Sequence, residues 1–498
     1  MKTLDRSALQ PIEARLLDET CASPITVLQI GEGNFLRGFF DWMVYESRKQ
    51  GLFQGSVAVT QPRPSGKPKI DTLAGQDGLY TLVIRGLENG ASVERKEVIS
   101  VFADAFDPYS EWARLVEIAE SPELRFIVSN TTEAGLVYRP EALTEGTPIV
   151  SFPGKVAYLL YRRYLKFEGA ADRGLILLPC ELLERNGDAL KEAVIKYATD
   201  WELPASFLEW VRNHNRFLNS LVDRIVTGYP DREQAEQWFS EWGYQDDLLC
   251  TAEPYHLWAI EGESELDSEL PFNRAGLNVH WVDDLKPYQQ RKVRILNGAH
   301  TLMTPIGILH GIEHVRELME HESLGAFVRT TVEEEIIPSL PYPEREMKDY
   351  AEAVFERYLN PYIRHRLSDI AMNSISKFKT RLLPSLAYYA EHGEQVPAGM
   401  LQGLAGLVRY YKVIRNGEQY EGRMLNGQTY LVRDDAKALE TIAEIWVDAE
   451  LASEPLIDTV TRILSEKSLW GEDLTRWSGV AGKVTELMID WQAKEERQ

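Results

Sequence analysis

A chain of 498 residues is too long for one compact core, so two or three domains are expected. Its 44% hydrophobic and 26% charged residues are ordinary globular values, which excludes disordered, collagen-like and coiled-coil classes. With 77 acidic against 54 basic residues the net charge is −23, and such a surface repels phosphate backbones and anionic lipid, so neither nucleic acid nor membrane is expected as a partner.

The opening MKTLDRSALQPIEARLLDET carries Asp5, Glu13, Asp18 and Glu19 and lacks the apolar core of a secretion signal. No later run approaches the ~18–20 apolar residues that span a bilayer. Cys21, Cys180 and Cys250 lie far apart with no CxxC pair, so neither a disulfide framework nor a thiolate zinc site is expected, and the chain reads as cytoplasmic.

In chain order, the apolar run ITVLQI (25–30) leads into GEGNFLRGFFDWMVYESRKQG, and SVAVT (56–60), RFIVS (125–129) and GLILL (174–178) follow. Helical patterns such as DPYSEWARLVEIAE and GDALKEAVIKYATD lie among them. This β–α rhythm predicts a parallel sheet covered by helices. YTLVIRG and VERKEVISV flank an Asn89–Gly90 pair that favours a tight turn, so an inserted β-hairpin is expected. After about residue 285 the pattern changes to long amphipathic stretches. The fold class read from this is α/β, with a Rossmann-like doubly wound domain over residues 1–284 followed by a mostly α-helical domain over 285–498.

Gly31-Glu32-Gly33 directly follows the first strand. Glycines there let the backbone turn sharply and approach a pyrophosphate, and free amides at the next helix start attract its charge. The candidate cofactor residues are Gly31, Gly33, Asn34 and Phe35, with Thr131 and Glu133 after the strand ending at Ser129. The usual third glycine position holds Leu36, and Gly38 comes two residues late. No acid ends the second strand, where Gln61-Pro62-Arg63 runs on towards Lys67, so these residues leave NAD against NADP open.

Lys292-Val-Arg-Ile-Leu-Asn297-Gly-Ala-His300 is the second motif. At ~100° per residue, Lys292, His300 and Asn297 fall at about 0°, 80° and 140°, one broad helical face, while Arg291 and Arg294 point elsewhere. A desolvated amine can carry a proton, and a carboxamide can stabilise a developing alkoxide. The plain structural alternative is a solvated Lys and a core His. In Asn219-Ser-Leu-Val-Asp223-Arg224, polar groups interleave with apolar ones, a pattern of internal networks as well as of sites. His310-Gly-Ile-Glu313-His314 has HxxEH spacing, but Gly311 interrupts its helix and no third ligand is apparent, so no metal is expected.

Taken together, GEGNFLRGF, SNTTEAG, NSLVDRI and KVRILNGAH resemble, in order and spacing, the polyol-specific long-chain dehydrogenase family, which includes mannitol dehydrogenases. The resemblance covers nearly the whole chain. QIGEGNFLRGF, LPCELLERNGDAL and the long runs ending in LNGAHT and TRLLPSL are similar to the branch acting on ketouronates. They imply NAD as cofactor, a small-molecule ketouronate/aldonate pair, and interconversion of D-tagaturonate and D-altronate without a catalytic metal. Fructuronate or polyol substrates, or a nucleotide-binding sensor without turnover, are the alternatives.

The same resemblance implies Lys292 as general acid/base, Asn297 and Asn186 as oxyanion donors, and His300 as the residue orienting substrate. Leu182 stands where mannitol dehydrogenases have a further Asn. Asp223 matches the aspartate that organises the pocket, and Lys377, in SISKFKTR, matches a basic residue of substrate contact, here a partner for the sugar-acid carboxylate.

Overall fold

The computed structural model describes residues 1–144 and 146–495. They form two compact units: Met1–Glu88 with Ser92–Leu285, and Asn89–Ala91 with the chain from Lys286 onward.

The first unit is built on six strands: β1 (Ile25–Ile30), β2 (Ser56–Thr60), β5 (Phe102–Ala105), β6 (Phe126–Ser129), β7 (Ile176–Pro179) and β8 (Arg216–Phe217). Between β2 and β5 come β3 (Tyr80–Glu88) and β4 (Ala91–Ile99). All six pair in parallel in the order β5-β2-β1-β6-β7-β8. That is the doubly wound order, in which the chain reverses direction beside the first strand and leaves a crevice at the carboxyl ends.

Residues of the central strands alternate between two cores. Val27, Val57, Val59 and Val128 pack with Phe39, Phe40 and Met43, while Leu28, Ile30, Ala58 and Ile127 pack with Val156, Leu160, Leu190 and Val194. Both faces being covered explains why the strands read as continuous apolar runs. The covering helices include α2 (Phe40–Lys49), which follows the short α1 (Asn34–Arg37), and on the other face α4 (Phe152–Lys166) and α5 (Asn186–Asp200), with α3 (Trp112–Ala119) between them and β5.

The expected hairpin is β3–β4, with Asn89 at φ 54° and Gly90 at φ 75°, the pair of positive values that a two-residue turn of this hand demands. It joins a larger sheet with two strands the apolar pattern did not announce, β10 (Val226–Gly228) and β11 (Cys250–Ala252). A third sheet pairs β9 (Ser220–Asp223), β12 (Leu257–Glu261) and β13 (Val279–Val282).

The second unit is mostly helical. Its central element is α8 (Asn297–Leu309), buried on every side from Gly298 to Leu309, as expected of a helix apolar all round. It packs against α10 (Leu367–Ile370), α11 (Ser374–Arg381) and α12 (Ala398–Tyr410), and α12 in turn against α13 (Val480–Glu495). A three-stranded antiparallel meander over residues Val413–Val432 interrupts the helices, in keeping with a mostly helical unit. Among the described residues no helix is long and apolar enough to cross a membrane.

Gly38 closes the contact between α1 and β10. A Cβ there would lie 2.8 Å from Val226 Cγ1 and 3.0 Å from Cγ2. Overpacking of this kind costs about 1–3 kcal/mol. Gly38→Ala is therefore expected to lower the thermal midpoint, and adding Val226→Ala should recover part of the loss. Strictly additive midpoints for the two changes, each lowering stability by itself, would show that the contact does not matter.

Candidate active site

The crevice at the carboxyl end of β1 is shaped by backbone. Gly31 sits at φ 138° and donates its amide to Thr60 O at 2.8 Å, and a Cβ on it would meet Asn130 O at 3.0 Å. Only glycine takes that turn comfortably so close to the neighbouring strand. Around Gly33 a Cβ would meet nothing within 4 Å, so this side of the turn is open. The amides of Gly33, Asn34 and Phe35 donate to no protein acceptor among the described residues. Open space beside unpaired amides fits a dinucleotide pyrophosphate.

The side chains there face inward. Asn34 Oδ1 accepts from Arg37 Nη2 at 2.7 Å, and Phe35 stacks on Phe39 with centroids 4.9 Å apart. Gly38, two places later than the usual third glycine, takes over the close helix-to-strand packing described above.

On the other side of the crevice Thr131 is held by a group that sequence reasoning missed. Glu181 is buried and accepts from the Thr131 amide at 2.8 Å, from Thr131 Oγ1 at 3.0 Å and from Ser129 Oγ at 3.2 Å. Burial raises the Glu181 pKa against the opposing pull of those hydrogen bonds. The next residue, Thr132, stands at φ 78°, ψ 161°, a region costly for a β-branched side chain and tolerated where surroundings over-determine it. Glu133 follows, exposed, in a short 3-10 turn.

Asn186, expected as an oxyanion donor, is committed elsewhere. It is 1% exposed, and its Nδ2 points at Pro179 O, Glu181 O and Ser220 O at 3.0, 3.1 and 3.1 Å. Its Oδ1 accepts from the amides of Gly187 and Ser220. Two amide hydrogens facing three backbone carbonyls leave none for a substrate oxygen. Asp223 ends β9, buried, and its neighbour Arg224 is structural: the guanidinium donates to Gly38 O and Glu253 O and lies 4.1 Å over the Trp42 ring.

In the second unit Lys292–Leu296 is a π-turn, not the regular helix assumed above, and the Asn297 amide donates to Lys292 O. A π-turn advances more slowly, roughly 80° per residue, so it carries Asn297 to within about 50° of Lys292 and brings His300 back almost in line with it. By this turn geometry the three positions share a narrower face than on a regular helix. Tyr358 fixes the turn from outside by donating to Leu296 O at 2.6 Å. Arg294 points away, bonded to Ser339 and Ser385, and Arg291 lies over Tyr288 and Tyr350.

Lys292 and Asn297 are half-buried, and no hydrogen bond from the Asn297 carboxamide is present among the described residues. His300 is 8% exposed, with Nε2 buried and unpartnered, between Tyr358 at 4.5 Å and an edge-on His365 at 4.9 Å. Burial holds its pKa well below the ordinary histidine value, and His365, Arg381, Arg357 and Lys377 add to this, so the ring is neutral. Lys377, one helix away, donates Nζ to Ile370 O at 2.8 Å.

The HxxEH residues serve as helix ends: His310 Nδ1 lies 2.8 Å from Ile306 O, and His314 Nδ1 lies 3.1 Å from Glu317 Oε1. Among the described residues no group of three or more His, Cys, Asp or Glu could hold a metal ion.

Comparison with known proteins agrees with both units. The mannitol dehydrogenase Rossmann domain matches residues 25–274, and the mannitol dehydrogenase C-terminal domain matches residues 284–490. The chain belongs to the mannitol dehydrogenase family. Members are oxidoreductases acting on CH–OH groups, and so is this one. Within the family it is 42% identical to the altronate oxidoreductase of Halalkalibacterium halodurans over 469 residues, 93% of this chain and 90% of that one. It is 43% identical to that of Pectobacterium carotovorum over 467 residues (93% and 94%), and 42% identical to that of Bacillus subtilis over 476 residues (96% and 94%).

Two solved structures share the fold at 20% identity. Pseudomonas fluorescens mannitol 2-dehydrogenase, in ternary complex with NAD and D-mannitol, has a TM-score of 0.64 and matches over 100% of this chain and 99% of its own. D-sorbitol dehydrogenase in substrate-free form has a TM-score of 0.76, over 96% and 95%.

The buried neutral imidazole makes a prediction for this family member. Below pH 6.5 the unfolded chain protonates position 300 and the folded chain does not, so folding stability is lost as pH falls, by at most about 1.4 kcal/mol per pH unit for one histidine. Chemical denaturation between pH 7 and 5 should show a shallower acid-side loss for His300→Asn than for the unaltered chain. Equal slopes would mean that His300 titrates normally.

Proposed function

We propose that this chain is a tagaturonate reductase, interconverting D-tagaturonate and D-altronate with NAD(H). The observation that supports the reading is the π-to-α junction that brings three groups into one short segment: the amine of Lys292, the carboxamide of Asn297 with no described hydrogen-bond partner, and the neutral imidazole of His300. Altronate oxidoreductases similar over 93% of the chain or more supply the substrate pair.

Gly31, Gly33 and the amides of Asn34 and Phe35, bordered by Thr131 and Glu133, would hold a nicotinamide dinucleotide, which would supply or accept the hydride. The mannitol 2-dehydrogenase with the same fold binds NAD.

In the reducing direction Lys292 delivers its proton to the ketone oxygen, and in the reverse direction its amine removes the hydroxyl proton. Asn297 donates to that oxygen as negative charge accumulates, which accelerates the reaction because the bond strengthens on the way to the transition state. His300 offers Nε2 to a substrate hydroxyl, which pairs a buried nitrogen otherwise left unsatisfied. Asn186 pins β7 to β9 rather than touching the reacting oxygen.

Asn297→Ala is expected to reduce turnover about 10²–10³-fold with NADH affinity nearly unchanged. Following NADH consumption with tagaturonate, fructuronate and fructose, and repeating with NADPH, checks the whole reading. Tagaturonate with NADH should give the highest kcat/KM. A preference for fructuronate or fructose would reassign the substrate, and no oxidation with any of them would remove the catalytic reading.

A further inference from the structure

We propose that Arg381 is the carboxylate anchor of the substrate site, with Lys377 one turn earlier on α11 as its auxiliary, and that this pair selects sugar acids over neutral sugars. The proposal rests on the ketouronate reading above and specifies how that substrate class is recognised.

Arg381 ends α11 and reaches across to the catalytic segment, its Nη1 3.1 Å from Thr301 Oγ1 and 3.4 Å from Asn297 O. These contacts occupy one nitrogen of the guanidinium and set its plane beside the residue proposed to hold the reacting oxygen. Its Nε and Nη2 make no hydrogen bond among the described residues, and no carboxylate is paired with it. Burial lowers the Arg381 pKa, and the only group opposing that effect is Tyr358, a phenol.

Four residues earlier, Lys377 likewise has no acidic contact among the described residues; its ammonium donates to Ile370 O, and Asp434 acts on it electrostatically. Both cations act electrostatically on His300. In a chain of net charge −23, where arginines such as Arg114, Arg125 and Arg162 are ion-paired, a half-buried guanidinium that has no counter-ion among the described residues and bonds the backbone of Asn297 has the chemistry to take an anion.

The planar fork of arginine matches a carboxylate through two parallel N–H···O bonds, and Nε with Nη2 is the edge that remains available. A ketouronate carries its carboxylate at one end of a short chain and its ketone near the other. Arg381 would then fix the position of the ketone against Lys292 and Asn297 by holding the far end. A neutral ketose leaves the guanidinium desolvated and unpaired, and that penalty is the source of the discrimination.

The test compares Arg381→Met, Arg381→Lys and the unaltered enzyme, each as the full chain with NADH, on tagaturonate and on a neutral ketohexose. Arg381→Met should lower kcat/KM for tagaturonate about 10²-fold, mainly through KM, leave the neutral ketose rate unchanged or higher, and so erase the preference for the acid. Arg381→Lys should restore part of it. As a second readout, competitive inhibition by altronate should weaken by a similar factor while inhibition by the neutral alditol should not.

Equal losses on both substrates would mark Arg381 as a structural tie of α11 to α8 and overturn the proposal, as would an unchanged preference for the acid. If Arg381→Met fails to fold, the lysine variant decides by the same ratio of substrates. An unaltered enzyme that turns over no ketouronate would instead bring down the functional reading itself, a result distinct from an active enzyme whose preference ignores position 381.

Discussion

The hydrogen bond from the Asn297 amide to the Lys292 carbonyl spans one residue more than an α-helix allows, and the site in the second unit depends on it. An ideal helix would spread Lys292, Asn297 and His300 over a broad arc. The wider turn brings their positions closer together around the axis, and the regular helix that follows is buried from Gly298 to Leu309. Tyr358 holds the last carbonyl of the turn, and the same ring lies against His300, so one side chain supports both the distortion and the imidazole it serves. Turns of this kind lose regular hydrogen bonding and persist where packing compensates, which is why they gather at functional positions.

Electrostatics works in the opposite sense to the molecule as a whole. The chain carries a net charge of −23, while in the second unit Lys377 and Arg381 have no ion-paired carboxylate among the described residues and both act on a neutral histidine. Burial is the common cause: it keeps His300 uncharged and leaves the arginine seeking a counter-ion. In the first unit the same economy of donors appears in backbone form, as amides after β1 that no group among the described residues accepts, opposite Thr131 fastened by Glu181.

Much of this fold is legible in the chain. The apolar runs at 25–30 and 56–60 coincide with β1 and β2, because strands buried on both faces have no polar alternation to blur their limits. Asn89–Gly90 identifies its hairpin, since few other pairs accept two positive φ values. The small sheets were hidden: β10 and β11 are three residues each, too short to carry a period.

Site residues divide along a similar line. Lys292, Asn297 and His300 share a local motif, but the π-turn that aligns them has no signature in KVRIL, and a wheel drawn at a fixed angle misses it. Asn186 looks available in the sequence because one of the groups that occupy it, Ser220, lies 34 residues further along, and the nearer ones, Pro179 and Glu181, meet it through backbone carbonyls that leave no mark in the residue pattern. Arg381 reaches Asn297 across 84 residues, although its i+4 relation to Lys377 was a usable hint. Glu181 stood inside a quoted motif with nothing local to show that it would fold back on Thr131.

The claim on which the account turns is that the Lys292 amine moves the proton. Steady-state and single-turnover rates for Lys292→Ala with NADH and tagaturonate, with and without added small alkylamines, test it directly. Loss of a general acid should slow the chemical step about 10²–10⁴-fold, with NADH binding retained and part of the rate returned by amines in order of their basicity. A Lys292→Ala enzyme that reduces tagaturonate within a few-fold of the unaltered rate would contradict the account.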